Sequence, residues 1–188
     1  MSDPIEILEF WLTEVDPKFW YQSHSDLDDE ITERFAETWQ VSIAGGLDHW
    51  LEGAAGSLAF IILTDQFPRN MFREDDRAFA SDALALKAAI KATERQWHLD
   101  VPAPDRQFFY MPFEHSEDLA MQDRSVALIR DHMPEGSDLL RHAEVHRHII
   151  RDFGRFPYRN ILLDRQNTPA EEVFLEKGGY LYAAELYG

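Results

Sequence analysis

Apolar positions recur along this chain every three to four residues, and nowhere do they alternate at every second residue between hairpin turns. The pattern therefore predicts helices and no strands. Asp3-Pro4-Ile5-Glu6 opens the first helix with an acid at the cap, proline at the first helical position and a glutamate three residues after the cap. Ile5, Leu8, Trp11 and Leu12 then share a face as far as about Thr13. Ser25 or Asp26 is expected to cap a second helix, in which Leu27, Ile31, Phe35 and Trp39 recur at every fourth position before Gly45-Gly46 ends it. Ala54 to Gln66 is apolar nearly all round, as a helix covered on most sides must be. Pro68 is expected to end it, because the residue before a proline disfavours helical dihedrals.

The same reading continues to the end of the chain. Ala78 to Arg95 is rich in strong helix formers, and Asp105 to Met111 can form a short helix up to Pro112. Ser116 or His115 is expected to start the next helix, which closes at Pro134-Glu135-Gly136. Ser137 caps one that runs to Phe153 and stops at Gly154, and Thr168-Pro169-Ala170-Glu171 is a capping box for a last helix ending at Gly178-Gly179. The expected architecture is all-α, with about eight helices in a single domain over residues 1–188.

Composition narrows the chemistry. The chain has no cysteine, which excludes disulfides, a thiolate metal site and a thiol nucleophile. Its net charge of −17 argues against nucleic acid, whose phosphates need clustered Lys and Arg. The charge is uneven: residues 1–64 carry 13 acids and 2 bases, while residues 141–188 carry 7 of each. No apolar run approaches the 20 or so residues of a membrane span, and Met1-Ser2-Asp3-Pro4 has no secretory pattern. A soluble, cytoplasmic protein is expected, with no membrane contact.

Three stretches hold the candidate chemistry. Asp65-Gln66-Phe67-Pro68-Arg69-Asn70 and Arg155-Phe156-Pro157-Tyr158-Arg159-Asn160 share the order Phe, Pro, Arg, Asn, and each follows an apolar helix. Between them, Tyr110-Met111-Pro112-Phe113-Glu114-His115-Ser116-Glu117 turns from an aromatic cluster into acids and a histidine. His115 beside Glu114 and Glu117 has the makings of a general base, although Ser116, Glu117 and Asp118 also read as an ordinary helix start. His146 falls within the apolar stripe of its helix, so it is either a satisfied core histidine or a site residue; a link to Glu114 or Glu117 would favour the second. His142 and His146 stand four apart, but alanine follows His142 where a zincin places its glutamate, so no metal is expected. Arg69, Arg155 and Arg159 either lock the turns to protein carboxylates or hold an anion with Asn70 and Asn160.

Together these motifs, with His146 and the Thr168 capping box, resemble a bacterial family classed as a domain of unknown function, and the likeness runs from Phe10-Trp11 to the last helix. The resemblance implies an all-helical, tetratricopeptide-like fold and no established activity. Tyr158 departs from it, since many relatives are expected to carry histidine there. The leading expectation is a binding module for a peptide or small anionic ligand: Asp65, Arg69, Asn70, Arg155, Arg159 and Asn160 form the polar part, and Tyr110 and Phe113 the apolar wall. One alternative is a hydrolase of a small anionic substrate with His115 or His146 as base and Glu114 or Glu117 as partner. The other is a structural interaction protein, for example a homodimer or another homo-oligomer. No cofactor is expected.

Overall fold

A computed structural model describes residues 2–22, 24–135 and 137–187, and among them every regular element is helical. Gly136, expected at the end of the helix after Ser116, lies outside the described residues. No helix among the described residues is long and apolar enough to cross a membrane. Contacts divide the chain into two units, Met1–Pro112 and Phe113–Gly188.

The first unit holds α1 (Pro4–Glu9), α2 (Ser25–Ile43), α3 (Ala54–Ile61), α4 (Phe67–Met71) and α5 (Asp82–Glu94). Asp3 caps α1 as its sequence predicts, accepting from the Glu6 N–H at 3.0 Å. The helix then continues through a π-turn, Phe10–Glu14. The cap of α2 is His24 rather than Ser25 or Asp26: its Nδ1 accepts from the Leu27 N–H at 3.4 Å. The predicted every-fourth-residue stripe of α2 is buried, and Phe35 meets Phe10 at 5.0 Å and Phe67 at 4.8 Å between ring centroids.

Pro68 does not end the third helix. The chain passes from α3 through a second π-turn, Ile62–Gln66, directly into α4, with Pro68 inside the helical path. A proline there lacks the N–H that would bond the carbonyl four residues back, at Thr64. That carbonyl accepts instead from the Ser81 hydroxyl at 2.6 Å, and the Ser81 oxygen in turn accepts from the Trp39 indole N–H at 3.0 Å. The Phe67 N–H spans the wider turn to the Ile62 carbonyl. A residue 17 positions away thus satisfies what the proline leaves open, so the local rule is overridden.

Close packing adds one sharp constraint. Gly56 lies in α3, where a Cβ would sit 2.2 Å from the Trp50 carbonyl oxygen, a backbone atom that cannot rotate away. Gly56→Ala is expected to cost about 1–3 kcal/mol, read as a lowered urea midpoint; an unchanged midpoint would show that the Trp50 turn yields.

The chain enters the second unit within α6 (Met111–Glu114) and continues with α7 (Leu119–His132), α8 (Asp138–Phe153), α9 (Pro169–Glu176) and α10 (Tyr180–Tyr187). α7 and α8 run antiparallel, tied by Arg130–Glu144 at 3.3 Å and Arg147–Asp123 at 3.6 Å. The core gathers Val145, Ile149, Ile150, Phe156, Phe174 and Ala183. Gly154, at a φ of 70°, ends α8 in the left-handed conformation that glycine adopts without penalty. The Thr168–Glu171 capping box forms in full. The start of α7 differs from expectation: Asp118 is the cap, accepting from the Ala120 N–H at 2.8 Å, while the Ser116 hydroxyl oxygen accepts from the Asp118 N–H.

The two Phe-Pro-Arg-Asn stretches, similar as sequence, fold differently. The first is helical, whereas the second follows Gly154 with Phe156 extended and Pro157–Arg159 in a single 3-10 turn. Ser81 supports the proline of the first stretch, and α8 has already ended before the second begins.

Candidate functional site

The second unit brings one candidate histidine and one candidate carboxylate together. His146 stands on the α8 stripe, and its Nδ1 lies 2.8 Å from Glu114 Oε1 and 2.9 Å from the His142 carbonyl. Both of those atoms can only accept, so Nδ1 bears the hydrogen and, in the neutral ring, Nε2 keeps the lone pair. Glu114 ends α6 with 8% of its side chain exposed, against 17% for His146. Burial pushes the Glu114 carboxyl up, but attraction to and hydrogen bonding with His146, reinforced by His115 and His142, prevail and hold it below the ordinary glutamate value. Gln122, fully buried on α7, donates to the carbonyls of Glu114 and Ser116 at 2.6 Å each, fixing the end of α6.

Aromatic rings surround the pair. The His146 ring stands edge-on to Phe156 at 5.5 Å and lies 5.0 Å from Tyr180. The Tyr180 hydroxyl bonds His142 Nδ1. Burial, with Glu114 adding to it, raises the Tyr180 phenol to about 12. Burial likewise raises the Tyr158 phenol, whose ring stacks on Phe156 at 5.4 Å. Both tyrosines therefore stay protonated near neutrality and can act as donors.

Glu117 does not serve its own helix start. It forks with Arg165 at 2.7 and 2.9 Å and accepts from the Phe156 N–H at 2.8 Å. Burial opposes its ionisation, but Arg165, the Phe156 N–H and the charge of Arg159 outweigh it and lower its pKa. Arg159 is buried, with its guanidinium 4.6 Å from the Phe156 ring centroid. His146 and Arg159 thus both bear on Phe156, whose backbone Glu117 holds.

The other candidates are placed as follows. Arg155 forks with Glu171 at 2.6 and 2.7 Å and reaches the Gln166 carbonyl. Asn160 is buried and donates to Asn167 at 2.8 Å. His115 is half-buried. Phe113 lies beneath the Arg124 guanidinium at 4.9 Å. In the first unit, Arg69 pairs with Asp82 at 2.9 Å and stands 3.8 Å from the fully buried Asp65, and Asn70 donates to Asp28 at 2.8 Å. The Tyr110 hydroxyl meets His98 Nδ1 at 2.8 Å in the same unit. Arg69 and Arg155 are each engaged with carboxylates of their own unit.

Sequence reasoning missed Tyr180, Arg165 and Gln122. His142 stood out only as a metal candidate, and its spacing of four from His146 was the available signal. The other three carry no pattern of their own, since their roles arise from tertiary packing.

Residues 7–179 match a family described as a bacterial protein of unknown function, DUF924. A solved structure of a protein of unknown function from Agrobacterium tumefaciens is 41% identical, covers 93% of this chain and 97% of that chain, and superposes with a TM-score of 0.87. No curated protein matches.

Proposed function

Because this chain belongs to the bacterial DUF924 family of unknown function, we propose its role from its own residues: an acid–base site in the second unit that hydrolyses a small anionic substrate. The observation that carries this reading is the 2.8 Å contact between His146 Nδ1 and the buried Glu114 carboxylate. A carboxylate on one ring nitrogen fixes the tautomer and stabilises the imidazolium that forms when the other nitrogen takes a proton. His146 Nε2 then draws the proton from water as it attacks, and returns it to the leaving group. Arg159, whose guanidinium lies on the Phe156 ring that His146 also meets, adds positive charge near the pair, and the protonated Tyr158 supplies a donor.

The binding-module reading relies on three arginines, of which Arg69 and Arg155 already hold protein carboxylates. That engagement favours chemistry at His146 over anion capture between the turns. The antiparallel α7–α8 pair supports the tetratricopeptide-like arrangement as the scaffold.

The test is a hydrolysis screen of the purified protein against phosphomonoesters, carboxylate half-esters and N-acyl amino acids, repeated with His146→Gln. The expected result is turnover of one class, falling by about 100-fold or more in the variant with its melting temperature held. A variant as active as the parent, or no turnover of any class, would overturn the proposal.

A further inference from the structure

A cavity in this unit shares no residue with the Glu114–His146 pair. It is a cleft of about 340 Å3 bounded by α8, α9 and α10, a volume within the usual range of small-molecule sites. Its floor is the fully packed pair Ile149 and Ala183. Its walls are aromatic: Phe153 and Phe174 stand 4.8 Å apart, and Tyr182 lies 6.5 Å from Phe174. Val173 and Leu186, also on its lining, are 50% and 55% exposed.

Two charged groups line the cleft, and they are not equivalent. Asp152 accepts a hydrogen bond from the Tyr187 hydroxyl at 3.0 Å. Lys177 has no carboxylate partner among the described residues, and its ammonium rests 5.0 Å from the centroid of the Tyr182 ring. That contact with a lining aromatic keeps the charge at the mouth instead of leaving it to swing into solvent. The cleft therefore offers an apolar, ring-walled interior, an ammonium that no carboxylate of the described residues meets, and a carboxylate occupied by the Tyr187 hydroxyl.

The geometry points to a binding site for a small apolar monocarboxylate, its aliphatic or aromatic body between Phe153, Phe174 and Tyr182 and its carboxylate on Lys177. An acidic occupant would pair with Lys177 while the Tyr187 hydroxyl keeps Asp152 engaged. A neutral apolar molecule would fill the same space without pairing with Lys177.

3-Phenylpropionate and its neutral counterpart 3-phenylpropanol separate these cases, since they share size and shape and differ in charge. Titration of each into the full chain, followed by amide shifts in two-dimensional NMR, is expected to move resonances of α8, α9 and α10. The acid should bind about fivefold more tightly than the alcohol, the worth of one exposed ion pair. Lys177→Met should erase that preference while leaving the alcohol unaffected. Ala170→Phe, at an exposed lining position, should block both without unfolding the protein. Equal affinity of acid and alcohol for the parent, or a preference that survives Lys177→Met, would overturn the assignment. So would a parent that sediments as a dimer, binds neither compound and is dissociated by Ala170→Phe, because a second copy would then cover the cleft.

Discussion

Alanine in place of Phe67 is expected to destabilise the protein by about 3–5 kcal/mol, the largest loss among the substitutions considered. The ring has no exposed surface and touches three others: Phe35 at 4.8 Å, Trp11 at 5.5 Å and Phe10 at 6.0 Å. Those partners belong to α1 with its π-turn and to α2, so one deletion leaves a void where several elements of the first unit meet. The surrounding rings are themselves fully packed and close the gap only in part. Urea unfolding should show a lower midpoint with an unchanged slope, and the thermal transition should fall by roughly 10 °C. Phe67→Leu should recover more than half of the loss. A loss below about 1 kcal/mol for the alanine variant would show that the cluster repacks.

The second large effect concerns Arg155. Its fork on Glu171 removes a carboxylate with 2% of its side chain exposed from isolation, and the same carboxylate accepts from the Thr168 N–H at 2.7 Å. Arg155→Ala leaves that charge buried with half of its partners, and the melting temperature is expected to fall by roughly 5 °C at neutral pH. Arg155→Lys should restore part of it, since an ammonium cannot reproduce the fork. The pair also carries an acid signature. The Arg155 hydrogen bond, with Thr168 assisting and burial opposing, lowers Glu171 from 4.5 to about 2. A lowered carboxylate stabilises the fold in full above its unfolded value and ceases to do so as pH falls through its folded value. The stability gap between the parent and Glu171→Gln should therefore be constant above about pH 5 and close between about pH 4.5 and pH 2. A gap that persists undiminished at pH 2 would assign the Glu171 contribution to packing instead of charge.

Parts of this molecule were legible before any coordinates. Asp3, Gly154 and the Thr168–Glu171 box act where their sequence places them, because caps are contracts between residues three or four apart. That every regular element among the described residues is helical followed from the lack of alternation. What escaped depends on distant partners. Pro68 reads as a stop only until Ser81 takes the Thr64 carbonyl. Asp118 is the cap of α7 while Glu117, beside it, is drawn to Arg165, 48 residues further on. The same division governs the candidate site. His146 and Glu114 were recognisable as a histidine within an apolar stripe and an acid after an aromatic run, but their meeting depends on the packing of the Glu114 side chain on α8. Arg155 and Arg159 were recognisable as turn residues, whereas Arg69, expected in a turn, lies within α4. Which carboxylate each one meets is a tertiary fact.

The π-turn at Ile62–Gln66 gives the length of its helix a meaning that composition alone does not. A π-turn holds one residue more than the α-turn it replaces, and each residue of an α-helix advances about 100° around the axis. The extra residue is absorbed inside that one turn, where the Phe67 N–H takes the Ile62 carbonyl, so removal of a single residue between Ile62 and Gln66 would leave an ordinary α-turn with the residues beyond it in register. Arg69 would keep its place at Asp82, and Asn70 at Asp28. Across relatives, a one-residue gap in this turn therefore preserves the ion-pair network, whereas a gap of the same size in the regular part of α3 would rotate Arg69 and Asn70 away from their partners.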